Sequence, residues 1–485
     1  MSVQHYEAAF EALRNGAFKA AVPLLEKAAR ETRYTYDVIN HAYTLALYRA
    51  NEKTRLADVS FQIGNSLLEN DPASAMDYFQ RGIMAGLDSP RLRQIGETFE
   101  RWAAPRSSVQ VSEPVERVGH VVGCLLPEHA PAQFVRILVS SMNRQGVQST
   151  IFTTEWAESW FFNPAGTPQS QPMAIDAETH IASVDGDFVK RAEKIAGAIR
   201  ASGIQVAFFH SSLAEQITAR VAAMRPAPIQ IHVNHGSEMA ADLFDGFIHS
   251  FQSAMDRTQF SSHPAAWIPL ASDIESRLQA SRPVSRQGLG LERASTVSAT
   301  FGDLQLVSGS GYLKVLAEIL KRFPNHFHLF AGEGNVRAMR GLLHAEGVLP
   351  RVRFLGHVAD VAQLMDAVDV YLAPFPHSNE HSILEAMGAG KPVVVMHPPA
   401  APDSSFGAEL VGFSELIASA EGNYIQIADR LLRNPALRQK QGEALRNRFR
   451  AEFQVERIGE RYVDFLKRLV RGQNDAARSR PAWNS

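Results

Sequence analysis

Arg117-Val-Gly-His-Val-Val-Gly-Cys-Leu-Leu126 is the stretch whose reading decides the fold. A short apolar run without helical spacing reads as a strand buried on both faces. It passes into a Pro127-Glu-His-Ala-Pro131 loop and then a helix carrying Phe134, Ile137, Leu138 and Met142. Further strand candidates are Ser149 to Thr153, Val206 to His210 and Ile229 to Val233, with helices between them, notably Phe188 to Ala201. Strands alternating with helices predict a parallel, doubly wound α/β sheet.

Toward the C-terminus the alternation repeats. From about Ser295 it predicts helices at Tyr312 to Phe323, Val336 to Glu346, Val361 to Ala367 and Ser382 to Gly388. Between them fall strands at Phe327 to Ala331, Val352 to Leu355, Val370 to Ala373 and Pro392 to Met396. Helices near Tyr424 to Leu432 and Ile458 to Val470 close this half, and 471–485 reads as a disordered tail. Toward the N-terminus, Ala9, Phe10 and Leu13, then Val22, Leu25 and Ala29, recur at helical spacing. Gly16, Phe18, Ala21, Leu25 and Ala28 alternate small with large, as closely paired helices do, and Ala75, Phe79 and Gly82 repeat that pattern. Residues 1–105 therefore read as a degenerate, tetratricopeptide-like helical-repeat module, followed by a Pro- and Ser-containing linker from Ala103 to Glu116. The domains expected are this module, Rossmann-like domains over 116–290 and 291–470, and the tail.

Composition narrows the function classes. Hydrophobic residues make up 45% and charged residues 21%, and no apolar run approaches the roughly 20 residues of a membrane span. A net charge of −2 supplies no basic surface for nucleic acid. The lone Cys124 excludes an intrachain disulfide framework, and Met1-Ser-Val-Gln-His-Tyr-Glu has no signal-peptide character, so a cytoplasmic location is expected.

Three blocks together resemble the catalytic half of the O-linked N-acetylglucosamine transferase family, which includes bacterial cytoplasmic protein glycosyltransferases. They are Ala222-Ala-Met-Arg-Pro-Ala-Pro-Ile-Gln230 with His235-Gly-Ser and Leu243-Phe-Asp-Gly-Phe-Ile248, then Ile319-Leu-Lys-Arg-Phe-Pro-Asn325, then Pro374-Phe-Pro-His-Ser-Asn-Glu-His-Ser-Ile-Leu-Glu-Ala-Met-Gly-Ala-Gly-Lys-Pro-Val393, continuing to Glu415-Leu-Ile-Ala. The resemblance spans roughly residues 116–470. It implies a GT-B fold, a nucleotide-sugar donor, metal-independent inversion and a protein side chain as acceptor. It implies no cofactor beyond the donor co-substrate.

Glu385, near the start of a strand-following helix, is placed to accept hydrogen bonds from a ribose diol, and the family carries an acidic residue there. His381 and Ser382 open that helix, where free N–H groups favour a phosphate, although Glu380 stands where the family has a histidine. The family's phosphate-binding lysine has no counterpart in Phe301-Gly-Asp-Leu-Gln-Leu-Val-Ser-Gly-Ser-Gly311; Ser308, Gly309, Ser310 and Gly311 are the backbone substitute. His129, in the first strand-to-helix loop, is the candidate general base. His235 and, less directly, His210 end further strands and are expected to face substrate. Asp185-Gly-Asp187 reads as a turn with Asp187 capping a helix, not as a metal motif, and His377, Glu380 and His381 lack metal-site spacing. The function expected is transfer of a hexosyl- or N-acetylhexosaminyl-type sugar from a nucleotide, UDP before CMP, to a protein docked on the N-terminal helices. A glycan or small acceptor is the alternative within enzymes, and a catalytically silent helical-repeat binding protein the alternative outside them.

Overall fold

The structure is a computed structural model that describes residues 3–126, 130–154, 173–181, 187–235, 241–253, 263–291, 296–304, 307, 311–398 and 406–478. It divides into two compact units, residues 1–250 with 254–268 and 462–485, and residues 251–253 with 269–461.

The first unit opens with helices α1 (Val3–Arg14), α2 (Phe18–Glu31), α3 (Asp37–Arg49), α4 (Lys53–Leu67), α5 (Pro72–Ala85) and α6 (Ser89–Arg101). Their ends follow local chemistry. Asp71 caps α5 by accepting from the Ser74 amide at 3.1 Å, Pro72 occupies the first turn, and Gly86 (φ +99°) closes the helix in the left-handed region. The helices precede a seven-stranded parallel sheet of order β3-β2-β1-β4-β5-β6-β7. The strands are β1 (Arg117–Val122), β2 (Gln148–Thr153), β3 (Glu178–Ile181), β4 (Val206–Phe209), β5 (Ile229–Asn234), β6 (Gly246–His249) and β7 (Ala265–Trp267). Crossover helices α7 (Ala130–Arg144), α8 (Phe188–Ala201) and α9 (Gln216–Ala223) accompany them. Asp187 caps α8 through the Lys190 amide at 2.8 Å, as its position predicts, whereas Asp185 lies outside the described residues.

The helical module is not a separate body. Ala57, Met76, Phe79, Ile95 and Phe99 share one buried cluster with Ile195, Ile199, Ile217 and Val221 of α8 and α9. The linker is tied down as well, because the Ala104 amide donates to the Ala223 carbonyl and Arg106 to the Phe244 carbonyl. The expected boundary near residue 105 is thus crossed by a continuous core. The two ends of the first sequence block also prove to form one structural lock. Buried Arg225 donates to Asp245 at 2.7 Å and to the Leu243 carbonyl at 2.9 Å, while Asp245 accepts the Gln230 amide. This pairing fixes β5 against β6 and satisfies a charge that burial would otherwise penalise.

The second unit carries a six-stranded parallel sheet of order β10-β9-β8-β11-β12-β13. Its strands are β8 (Thr296–Phe301), β9 (His326–Ala331), β10 (Val352–Phe354), β11 (Val370–Leu372), β12 (Val393–Met396) and β13 (Ile417–Ala418). Around it lie α10 (Ile274–Ala280), α11 (Tyr312–Arg322), α12 (Val336–Ala345), α13 (Glu380–Gly388), α14 (Gly407–Val411), α15 (Glu421–Arg433), α16 (Pro435–Glu452) and the start of α17 (Val455–Arg478). The helix expected at Val361 to Ala367 is a 3-10 turn. The unit begins at residue 269 instead of 291 because Ile274 of α10 packs against Gly388 of α13. The expected tail is helical through Arg478, held in the first unit by Phe465 and Leu469 against Gly246 and by an Arg471–Glu113 ion pair at 2.8 Å; 479–485 lie outside the described residues.

In both sheets sequence order reverses beside the first strand, at β1/β4 and at β8/β11. Ligands of open α/β sheets bind outside the carboxyl ends of strands at such reversals.

Removing the Phe79 ring is expected to destabilise the first unit by about 3 to 5 kcal/mol, the cost of emptying an aromatic site in a core. Because the cluster is shared, Phe79→Ala should loosen helices and sheet together. Hydrogen exchange that speeds up in α4 to α6 and leaves α8 and α9 protected would contradict this.

Candidate functional site

In the second unit the loops after β8 and β11 meet. Gly302 follows β8 at φ +106°, and a Cβ there would lie 1.9 Å from Asn379 Nδ2. Gly332, at φ +141°, follows β9 with its Cα so close to the Gly302 carbonyl that a Cβ would lie 1.8 Å from that oxygen. Only glycine fits either position. Asn379 caps α13 by accepting from the Ser382 amide at 3.3 Å.

The residues read from the sequence as donor-binding divide in this setting. The Ser382 hydroxyl is turned inward onto Tyr371, and the side chain is 4% exposed. His381 stays partly open, its Nε2 3.6 Å from Glu385 Oε1. Glu385 is buried, with Oε1 accepting from Arg277 Nη2 at 2.5 Å, and Oε2 accepts from no described residue. Gly311 opens α11, but Ser308, Gly309 and Ser310 lie outside the described residues.

Glu380 was already legible in the sequence at one candidate phosphate position, and the carboxylate missed in the sequence is Glu421 at the other. Glu380 accepts from Ser378 Oγ at 2.7 Å and from the amides of Glu380 and Phe406, and burial raises its carboxyl above the usual range. A Cβ on Gly311 would lie 2.8 Å from Glu421 Oε1, so the start of α11 also faces a carboxylate.

In the first unit, the loop after β1 begins at Gly123, and His129 lies outside the described residues. Glu215 fills the space a Cβ on Gly123 would occupy, 2.4 Å from its Oε2, and burial pushes the Glu215 carboxyl up to about 8. Behind this loop three imidazoles bond in series. His120 Nδ1 is 3.1 Å from His210 Nε2, and His210 Nδ1 is 3.2 Å from His235 Nε2. Ser250 Oγ is 3.4 Å from His235 Nδ1. His210, expected to face substrate, is fully buried, with each ring nitrogen bonded to a neighbouring histidine; of the three rings only His235 keeps some exposure. A neutral imidazole donates from one nitrogen and accepts at the other, so the three rings share one tautomeric sense.

Among the described residues no group of three His, Cys, Asp or Glu side chains is placed to hold a metal ion, and no helix is long and apolar enough to cross a membrane.

Two parallel sheets in this strand order, each with candidate groups at its reversal, define the GT-B class. Residues 310–433 are a glycosyltransferase domain, matching the family model described as Glycosyl transferases group 1. Among solved structures, a mutant O-GlcNAc transferase of Thermobaculum terrenum is similar over 98% of both chains, at 18% identity and TM-score 0.57. Anabaena Alr3699/HepE in complex with UDP and glucose is similar over 73% of this chain and 100% of its own, at 16% identity and TM-score 0.56. A glycosyltransferase of Rickettsia africae matches over 74% and 99%, at 10% identity and TM-score 0.53. No curated protein sequence matches the chain.

The buried histidines make a pH prediction. Burial pushes His120 down to about 3 and His232 to about 4, from 6.5. Their neutral forms contribute stability that is complete above pH 6.5 and is lost as pH falls toward those values. Glu215 has the opposite sign, its contribution being complete below 4.5 and lost as pH rises through about 8. Comparing variants separates the two. His120→Phe should flatten the dependence of unfolding free energy by about 1.4 kcal/mol per pH unit between about pH 6 and 4. Parallel wild-type and variant profiles in urea titrations would rule the assignment out.

Proposed function

We propose that the chain transfers a sugar from a nucleotide-sugar donor to a protein side chain, without a metal and with inversion at the sugar carbon. The observation that carries this reading is Glu385. It is a buried carboxylate on the helix that follows β11, with one oxygen paired to arginine and the other accepting from no described residue. The preorganised amides of the glycine-lined loops would stabilise charge on the leaving phosphate. His129 is the proposed general base for the acceptor, with His235 as the alternative. Residues 116–290 are the proposed acceptor side and 291–470 the donor side. The action is placed in the cytoplasm, in keeping with the lone cysteine.

UDP is the favoured nucleotide, on the sequence resemblance and because Anabaena Alr3699/HepE binds UDP. A CMP-sugar is a second reading that a specific observation favours. Glu380 and Glu421 stand at both candidate phosphate positions, and the lysine is missing. A monophosphate leaving group carries less charge to be repelled there. Calorimetric titration with UDP, GDP, TDP and CMP is expected to single out UDP. Preference for CMP would establish the second reading, and binding of none would support the silent binding protein. Glu385→Ala should weaken the preferred nucleotide by about 1 to 3 kcal/mol. An intact variant that binds as tightly as wild type would remove Glu385 from the donor site.

The acceptor is proposed to dock on the N-terminal helices, where Tyr36 and Tyr48 are 56% and 48% exposed. Deleting residues 1–105 would uncover Ile195 and Ile217, so point changes give the cleaner test. Tyr36→Ala with Tyr48→Ala should reduce protein modification while donor hydrolysis persists. Unchanged modification, read by mass spectrometry, would point to a glycan or small acceptor.

A further inference from the structure

Arg277 lies on α10, in sequence far from every block that carries the resemblance. Its guanidinium reaches three carboxylates on three elements: Asp273 at 2.8 Å through Nε, Asp360 at 2.6 Å through Nη1 and Glu385 at 2.5 Å through Nη2. The side-chain exposures are 23% for Arg277, 18% for Asp273, 26% for Asp360 and 7% for Glu385, so the most buried partner is the one at the candidate ligand site. Asp360 is fixed in turn by accepting the Ala362 amide at 2.9 Å.

A carboxylate as buried as Glu385 carries a desolvation cost unless a cation is paired with it. Arg277 removes that penalty and takes up Oε1, so Oε2 remains as an acceptor in one orientation. Asp273 and Asp360 hold the guanidinium from its other edges and prevent the fork from rotating away. The planar, five-donor geometry is what lets one cation serve three acceptors, and a lysine ammonium cannot reproduce it.

We propose that Arg277 is a positioning residue for donor recognition, aiming Glu385 so that the oxygen not paired to the guanidinium accepts the 2′- and 3′-hydroxyls of the nucleotide ribose. This rests on the reading that Glu385 meets the ribose, and the test separates the two. The full-length chain is titrated calorimetrically with UDP and CMP and with the 2′,3′-dideoxy counterpart of each. The readout is the affinity ratio of ribose to dideoxyribose forms, which a general loss of packing does not change.

Wild type should favour the ribose form by about tenfold or more, the scale of losing a charge-assisted hydrogen bond. Glu385→Gln should bring the ratio close to unity. Arg277→Gln should lower it at least about fivefold and change dideoxy affinity much less, and the double variant should lose nothing further. If Glu385→Gln keeps the ratio, or wild type binds neither nucleotide, the ribose reading fails and the inference falls with it. If Glu385→Gln abolishes the ratio and Arg277→Gln retains it, the ribose reading stands and the inference alone is overturned. Should Arg277→Gln fail to fold by circular dichroism, Arg277→Lys decides. A ratio reduced about threefold or more supports the fork, and a wild-type ratio refutes it.

Discussion

The reversal of strand order beside the first strand of each sheet is the constraint on which the rest depends. Parallel strands need crossovers, crossovers of one hand lie on one face, and reversing direction moves later crossovers to the other face. The carboxyl ends of β1 and β4, and of β8 and β11, are therefore left uncovered by helices. Gly123, His235 and Glu215 fall at one such place, and Gly302, Asn379 and Glu385 at the other. Backbone crowding at Gly302 and Gly332 follows from bringing adjacent strand ends together there.

The chemistry gathered at the second reversal is acidic. Glu380 and Glu421 open α13 and α15, where an external anion would otherwise be favoured, and Glu385 lies more than a turn further along α13. Only Glu385 has a full arginine partner, whereas Glu380 is satisfied by a hydroxyl and backbone amides and its protonation is eased by burial. A group that becomes neutral near a phosphate repels it less than a fixed charge.

How much of this was legible in the sequence depends on the range over which each feature is encoded. The α/β alternation is local, so most strands and long helices named from apolar runs fall where those runs place them, although β6 and β8 were not picked out. Strands β3, β7 and β13 span four, three and two residues and sit at or near sheet edges, too short for a pattern to reveal. Glu385 could be picked out because helix and carboxylate lie in one motif. Arg277 could not, since its partners Asp360 and Glu385 are 83 and 108 residues away and nothing in its own surroundings announces them. His210 looked like a strand-end residue open to substrate, and only the fold shows His120 and His235 bonded to its two ring nitrogens.

The shared core of helices and sheet in the first unit bears on how an acceptor would be presented. A recruiting module on a flexible linker raises local acceptor concentration, an effect that declines as the linker lengthens. Here Phe79, Ile95 and Phe99 pack into the same cluster as Ile195, Ile217 and Val221, and Ala104 is hydrogen-bonded to Ala223. Freedom between module and sheet has already been lost on folding, so a proposed docked polypeptide would not have to offset that part of the ordering entropy. With the proposed protein acceptor, such rigid presentation would favour acceptor sites at a set distance from the docked segment. It would place selectivity in the spacing along that acceptor chain as much as in the residue modified.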